Sequence, residues 1–292
     1  MASFTNQATL TYNGQTVSSN IVTGQMMSPL TMTKTAVDDV YAPGDTITYV
    51  VSIVNDGSAT FEDLTLTDDL GAYEVGNNET AYPLAYVADS VRYFINGVLQ
   101  PAPTVTSDEP LTITGISVPA GGNTMLIYET EVTAAAPLTA DSVITNTVSL
   151  TGEELSCPLE AEATVRAEGG AELSIVKSLF PATVPENGEL TYTFLIQNRG
   201  NEPADADAGI SVCDLFDPIL RNICVELDGQ PLSRPADYTY NQATGQFTTV
   251  PGRITVPAAT FAQDVNTGDW IVTPGEATLT VQGKVRGCCP RD

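Results

Sequence analysis

Short runs in which apolar and polar residues alternate fill this chain. "ITYVVSIVN" (47–55), "LTLTD" (64–68), "MLIYETEV" (125–132), "ITNTVSL" (144–150) and "LTYTFLIQN" (190–198) carry apolar residues at most second positions. That is the period of a strand with one face on a core. Gly, Pro, Asn and Asp interrupt the runs, as turns require. No segment holds a helical period, and no apolar run approaches the roughly 18 residues of a membrane span. The pattern predicts an all-β chain of sandwich type with no membrane insertion.

The alternating pattern occurs twice. "PLTMTKTAVDDVYAPGDTITYVVSIVNDGS" (29–58) matches "AELSIVKSLFPATVPENGELTYTFLIQNRGN" (171–201), each with a central Lys and then T-Y-x-x-x-I-x-N. "LTLTDDL" (64–70) matches "ISVCDLF" (210–216), and "VRYFINGVLQ" (91–100) matches "ICVELDGQPL" (223–232), both of the latter with hairpin signals. "GISVPAGGNTMLIYETEV" (115–132) matches "RITVPAA" (253–259) and then, after an insertion holding the single Trp, "PGEATLTVQGKV" (274–285). The first copy runs on through two more strands to Val165, whereas the second has only "RGCCPRD" after Val285.

The missing piece resembles "FTNQATLTYNGQTVSSNIVTG" (4–24), which has Phe4, Ala8 and Leu10 on one side. The expected layout is an N-terminal donor hairpin and connector (1–28), a first β-sandwich (29–167) and a second, incomplete one with an acceptor groove (168–292). An open sandwich exposes core and unpaired backbone, so the groove calls for the hairpin. Either the hairpin closes its own second domain, or it closes that of the next subunit by strand addition. The short connector before Leu30 reaches only roughly 20 Å, which favours the neighbour. A contact of that head-to-tail kind propagates as a filament unless it closes into a ring.

Alternation also places polar residues on apolar faces. Lys34 follows Leu30 and Met32, and Lys177 follows Leu173 and Ile175. Asp68 lies with Leu64, Leu66 and Leu70, and Asp214 with Ile210, Val212 and Phe216. Asn146 belongs with Ile144, Val148 and Leu150, and Asn6 with Phe4, Ala8 and Leu10. A buried lysine is paired, neutral or consumed. As a neutral amine beside a carboxyl it can attack the Asn carboxamide, expel ammonia and leave an isopeptide bond. A plain Lys–Asp ion pair with Asn completing the hydrogen bonds fits the same spacing.

Length and charge narrow the function. The 292 residues suffice for two domains. A net charge of −25, from 36 acidic and 11 basic residues, disfavours nucleic acid and anionic membranes as partners. The chain has no His, which removes the commonest general base and metal ligand. Neither an enzyme nor a cofactor or metal site is expected, apart from the self-reacting triads. Cys157, Cys213, Cys224, Cys288 and Cys289 form an odd set with no metal-ligand spacing. Disulfides between subunits and unpaired thiols are both open. Asn78-Glu79-Thr80 is a glycosylation sequon, and Asp38–Asp39, Asp68–Asp69 and Asp205–Asp207 read as solvated acidic clusters. "MASFTNQATL" has no secretory leader pattern.

"MTKTAVDDVYAPGDTITYVVSIVNDG", "LTLTDDL", "VPAGG" and "ITNTVSL" resemble the bacterial surface repeat catalogued as domain of unknown function number eleven. That family is akin to the isopeptide-forming Ig-like domains of Gram-positive fimbrial proteins. The resemblance covers nearly the whole chain twice and implies extracellular, non-enzymatic modules. On the fimbrial pattern, Lys34 would join Asn146 with Asp68 as catalyst, and Lys177 would join Asn6 with Asp214. Cys213 stands where the first copy has Thr67.

The expected function is therefore a structural subunit of a self-assembling fibre on a cell or spore surface. Its partner is itself, with any surface anchor or receptor unspecified. The alternative is a monomeric surface adhesin whose hairpin closes its own second domain.

Overall fold

The structure is a computed structural model that describes residues 2–26, 29–76 and 79–285. Asn78, Cys288 and Cys289 lie outside them. The described chain is all-β apart from short 3-10 turns such as Ala206–Ala208.

Four strands form an N-terminal arm: β1 (Ala2–Asn6), β2 (Thr9–Tyr12), β3 (Gln15–Ser18) and β4 (Val22–Met26). β1 pairs with β4 and β2 with β3, both antiparallel. Asn13 (φ 49°) and Gly14 (φ 77°) turn the chain between β2 and β3, the left-handed pair that a two-residue hairpin needs. Asn6 lies opposite Val22 and Thr9 opposite Ser18. Gln7 and Ala8 thus face Ser19, Asn20 and Ile21, so the returning strand bulges while the entering strand keeps its alternation. Leu10, Tyr12, Val17, Ile21 and Val22 are all exposed, a density of bare apolar side chains that a hairpin cannot bury alone.

The chain divides into two compact units, the first built mainly from Met1–Pro137 and Val143–Arg166, the second mainly from Ala167–Asp264 and Trp270–Asp292. The first unit contains β5 (Leu30–Ala36), β6 (Val40–Tyr41), β7 (Thr46–Asn55), β8 (Phe61–Asp68), β9 (Tyr73–Val75), β10 (Glu79–Ala81) and β11 (Leu84–Tyr86). It continues through β12 (Arg92–Ile95), β13 (Val98–Gln100), β14 (Thr104–Asp108), β15 (Leu111–Val118), β16 (Asn123–Val132), β17 (Val143–Thr151) and β18 (Leu159–Ala167). One sheet runs β13-β12-β16-β7-β5, with β11 also on β16; the other runs β14-β15-β8-β17-β18-β6; β9 and β10 pair separately. Inward residues of both sheets are buried, among them Tyr49, Val51, Ile53, Leu64, Leu66, Leu126, Val148 and Leu150. Each such side chain contributes about 1.5–3 kcal/mol by leaving water.

The second unit holds β19 (Leu173–Phe180), β20 (Glu189–Asn198), β21 (Cys213–Leu215), β22 (Leu220–Leu227), β23 (Gln230–Pro231) and β24 (Tyr238–Tyr240). It ends with β25 (Gln246–Thr249), β26 (Thr260–Gln263), β27 (Trp270–Thr273) and β28 (Gly275–Val285). Its larger sheet, β23-β22-β28-β20-β19, repeats β13-β12-β16-β7-β5 strand for strand. The facing sheet keeps β24-β25-β21, the counterparts of β14-β15-β8, and stops. Among the described residues, nothing like β17, β18 or β6 follows β21. The fold is two tandem Ig-like sandwiches, the second without its last hairpin.

One expectation needs correcting. Alternation put Lys177 on a buried face, yet every residue of β19 is exposed. A sequence period marks a face as apolar, but among the described residues no strand covers this one.

Candidate functional site

In the first unit the three expected residues come from three strands. β5 carries Lys34, β8 ends on Asp68, and β17 brings Asn146 to the same interior, with Val148 opposite Asp68. Lys34 Nζ donates to Asp68 Oδ2 at 2.7 Å, and both side chains are fully buried. Burial holds the Lys34 ammonium below the ordinary lysine range, against the pull of Asp68 and Asp69. The Tyr128 hydroxyl donates to the same Asp68 oxygen, and burial pushes that phenol well above its usual range. Leu70 N–H donates to Asp68 Oδ1. Asp68 is thus held at both oxygens.

Asn146 differs from its neighbours. It is fully buried, and neither its amide nitrogen nor its carbonyl oxygen has a hydrogen-bond partner. Tyr49 links it to the ion pair. Lys34 Nζ lies 4.7 Å from the Tyr49 ring centroid, and the Tyr49 hydroxyl is near enough to Asn146 to feel its amide. The contact falls short of hydrogen-bond geometry, so the Tyr49 hydroxyl is also left without a partner. An orphaned buried amide costs about 1–3 kcal/mol. Buried asparagine is not unusual in itself here: Asn55 satisfies its amide on Ala59, Val118 and Pro119 carbonyls, as Asn198 does on Glu202 and Pro257. Asn146 alone among these three has nothing to bond.

The second unit holds two of the corresponding residues. Lys177 Nζ donates to Asp214 Oδ2, but their side chains are 39% and 18% exposed, against zero for Lys34 and Asp68. Lys177 Nζ sits 4.4 Å from the Tyr192 ring centroid, 5.5 Å from Phe194 and 5.6 Å from Phe216. Phe216 stacks on Tyr192 at 4.9 Å. Among the described residues, no asparagine of this unit hydrogen-bonds to the pair. Asn6 lies in the arm, exposed beside Phe4, Ala8 and Leu10.

The tyrosines escaped the sequence reading, although a signal was available. Tyr49 and Tyr192 occupy the same place in T-Y-x-x-x-I-x-N, on the apolar face, and Tyr128 lies directly across from Tyr49. The second unit has Val281 opposite Tyr192, so its aspartate lacks the phenol clamp. Cys157, Cys213 and Cys224 are exposed free thiols. No group of three or more His, Cys, Asp or Glu is placed to hold a metal ion among the described residues. Among those residues no helix is long and apolar enough to cross a membrane.

No family model and no curated protein matches the chain, so the resemblance to the surface repeat rests on its strand motifs. Solved structures with similarity include BcpA, the major pilin subunit of Bacillus cereus, at 12% identity and TM-score 0.34, covering 94% of this chain and 73% of that one. The pilus backbone protein RrgB of Streptococcus pneumoniae matches at 11% identity and TM-score 0.34, over 84% of this chain and 55% of its own. A family 123 glycoside hydrolase from Clostridium perfringens matches at 10% identity and TM-score 0.32, over 48% of this chain and 27% of its own. Two pilins and a hydrolase share this distant likeness, so it carries no functional argument.

Proposed function

We propose that the chain is a structural subunit of a fibre on an extracellular cell or spore surface. The N-terminal arm of one copy completes the second unit of the next, and Lys–Asn isopeptide bonds fix the result. One contrast carries this reading. Among the described residues, the edge that β17 covers on β8 is bare on β21, and an arm with the β17 pattern pairs only with itself. Exposed Leu173, Ile175 and Leu179 supply apolar surface on the acceptor side, and Phe4 and Leu10 supply it on the donor side.

The chemistry follows from the contacts. Moving the proton from Lys34 to Asp68 along their hydrogen bond yields a neutral amine and a carboxylic acid together. The acid donates to the Asn146 carbonyl oxygen, and the Lys34 nitrogen attacks the polarised carbon. The C–N bond to the amide nitrogen breaks, ammonia leaves with the protons shed by the lysine, and Asp68 regains its charge. The unpartnered Asn146 amide supports this assignment, since the reaction removes a buried nitrogen that has no bond to lose. At the second site the same step waits for Asn6 of another copy, which makes that bond intermolecular.

Denaturing gel electrophoresis and intact mass test the reading together. A ladder that survives boiling and reductant, with about 17 Da lost per bond as ammonia, is the expected result. A single monomer band at all concentrations would overturn the covalent polymer.

A further inference from the structure

Resting on the strand-donation reading, we infer that the arm docks in one register, with Ala8 opposite Asp214, Thr9 opposite Cys213, Leu10 opposite Val212 and Thr11 opposite Ser211 of the receiving copy. The first unit is the template. There Val148 pairs with Asp68, Ser149 with Thr67, Leu150 with Leu66 and Thr151 with Thr65. "LTLTDDL" and "ISVCDLF" align residue for residue, as do the strands around Asn146 and Asn6, and the pairs carry across.

Side-chain chemistry agrees where the core is met. Leu10 meets the buried Val212 as Leu150 meets Leu66. In the first unit Ile144 lies opposite Val165, and in the arm Phe4 lies opposite Gly24. A Cβ on Gly24 would come within 2.3 Å of the Phe4 ring, so the bulk of two aliphatic residues has moved onto one strand. A slip by one residue would turn Leu10 to solvent and Gln7 and Thr9 inward. Slipping by two keeps the faces but puts Phe4 or Ala8, not Asn6, beside Lys177 and Asp214. One register alone satisfies both the core and the amide.

This register has an outward reporter. Cys213 is an exposed thiol on the bare edge strand, in the place of Thr67. Docking covers it with Thr9 of the incoming arm, whereas Cys157 and Cys224 lie elsewhere in the fold. Alkylation of assembled protein, followed by peptide mass mapping, should leave Cys213 protected at least tenfold relative to subunits lacking residues 1–24. Cys157 and Cys224 serve as internal controls.

The pairing itself is read in Asn6→Ala subunits, where no isopeptide bond can join copies at this site. Among Gln7→Cys, Thr9→Cys and Thr11→Cys added to that background, mild oxidation should link Thr9→Cys to Cys213 most efficiently, since diagonal neighbours are 2–3 Å farther apart. Preferential linkage at position 7 or 11 overturns the register while strand donation stands, and an unprotected Cys213 in intact fibres overturns docking on β21 and the register with it. Absence of any assembly by light scattering overturns strand donation and the register with it.

Discussion

A buried lysine and an exposed one, each paired with an aspartate, allow the same substitution to be read twice. Asp68→Ala leaves Lys34 buried without a partner, and breaking such a pair costs about 3–5 kcal/mol. Asp214→Ala frees a Lys177 that is 39% exposed, where water screens the pair and the loss stays below about 1 kcal/mol. Urea unfolding of unassembled Asn146→Ala subunits, which contain no internal bond, should show the first change and barely register the second. The pH response of that variant has a definite sign. Because burial lowers the Lys34 pKa in the folded chain, the unfolded lysine binds more protons up to about pH 10.4. Stability therefore rises with pH as the folded pKa is passed and levels off near the unfolded one. Tyr128 works oppositely: its raised folded pKa gives a contribution that is complete below about pH 10 and is lost above it. An alkaline maximum should result, and Lys34→Met should remove the rising limb.

At the scale of the element, the arm's hairpin is the part that can be changed without touching either core. Gly14 holds φ 77° at its turn, so Gly14→Val strains the hairpin. Gly24→Val displaces the Phe4 ring that covers it. Leu10→Asp puts a charge where the acceptor offers Val212. All three should leave the thermal midpoint of the unassembled subunit within a degree or two while slowing assembly, followed by light scattering; Leu10→Asp should abolish it. The strands and the Asn-Gly and Asp-Gly hairpins were legible from alternation and turn residues because both follow local rules. The Lys177 environment was not, since exposure depends on which strands are absent, and a strand's own period does not record that.

For the whole molecule, charge and connectivity dominate. Each copy carries −25, so approach is opposed by repulsion that salt screens over about 10 Å at 0.1 M. Raising ionic strength from 0.05 to 0.5 M (roughly 14 to 4 Å of screening length) should speed the onset of assembly several-fold. Fibres already fixed covalently should not dissociate when salt is removed. A fibre held only by strand addition would shorten under the same dilution, which separates docking from bond formation.

The sequence by itself determined the all-β class, the twofold repeat and the recurrence of Lys and Asp on apolar faces, because period, turn chemistry and residue type are local properties. Only the tertiary structure decided that Lys34 is sealed while Lys177 is open, that Tyr128 and Leu70 hold Asp68 at both oxygens, and that Asn146 is buried with no partner. Those facts depend on which strands meet across the sandwich. Residues far apart in the chain set them, and no pattern along one strand can express them.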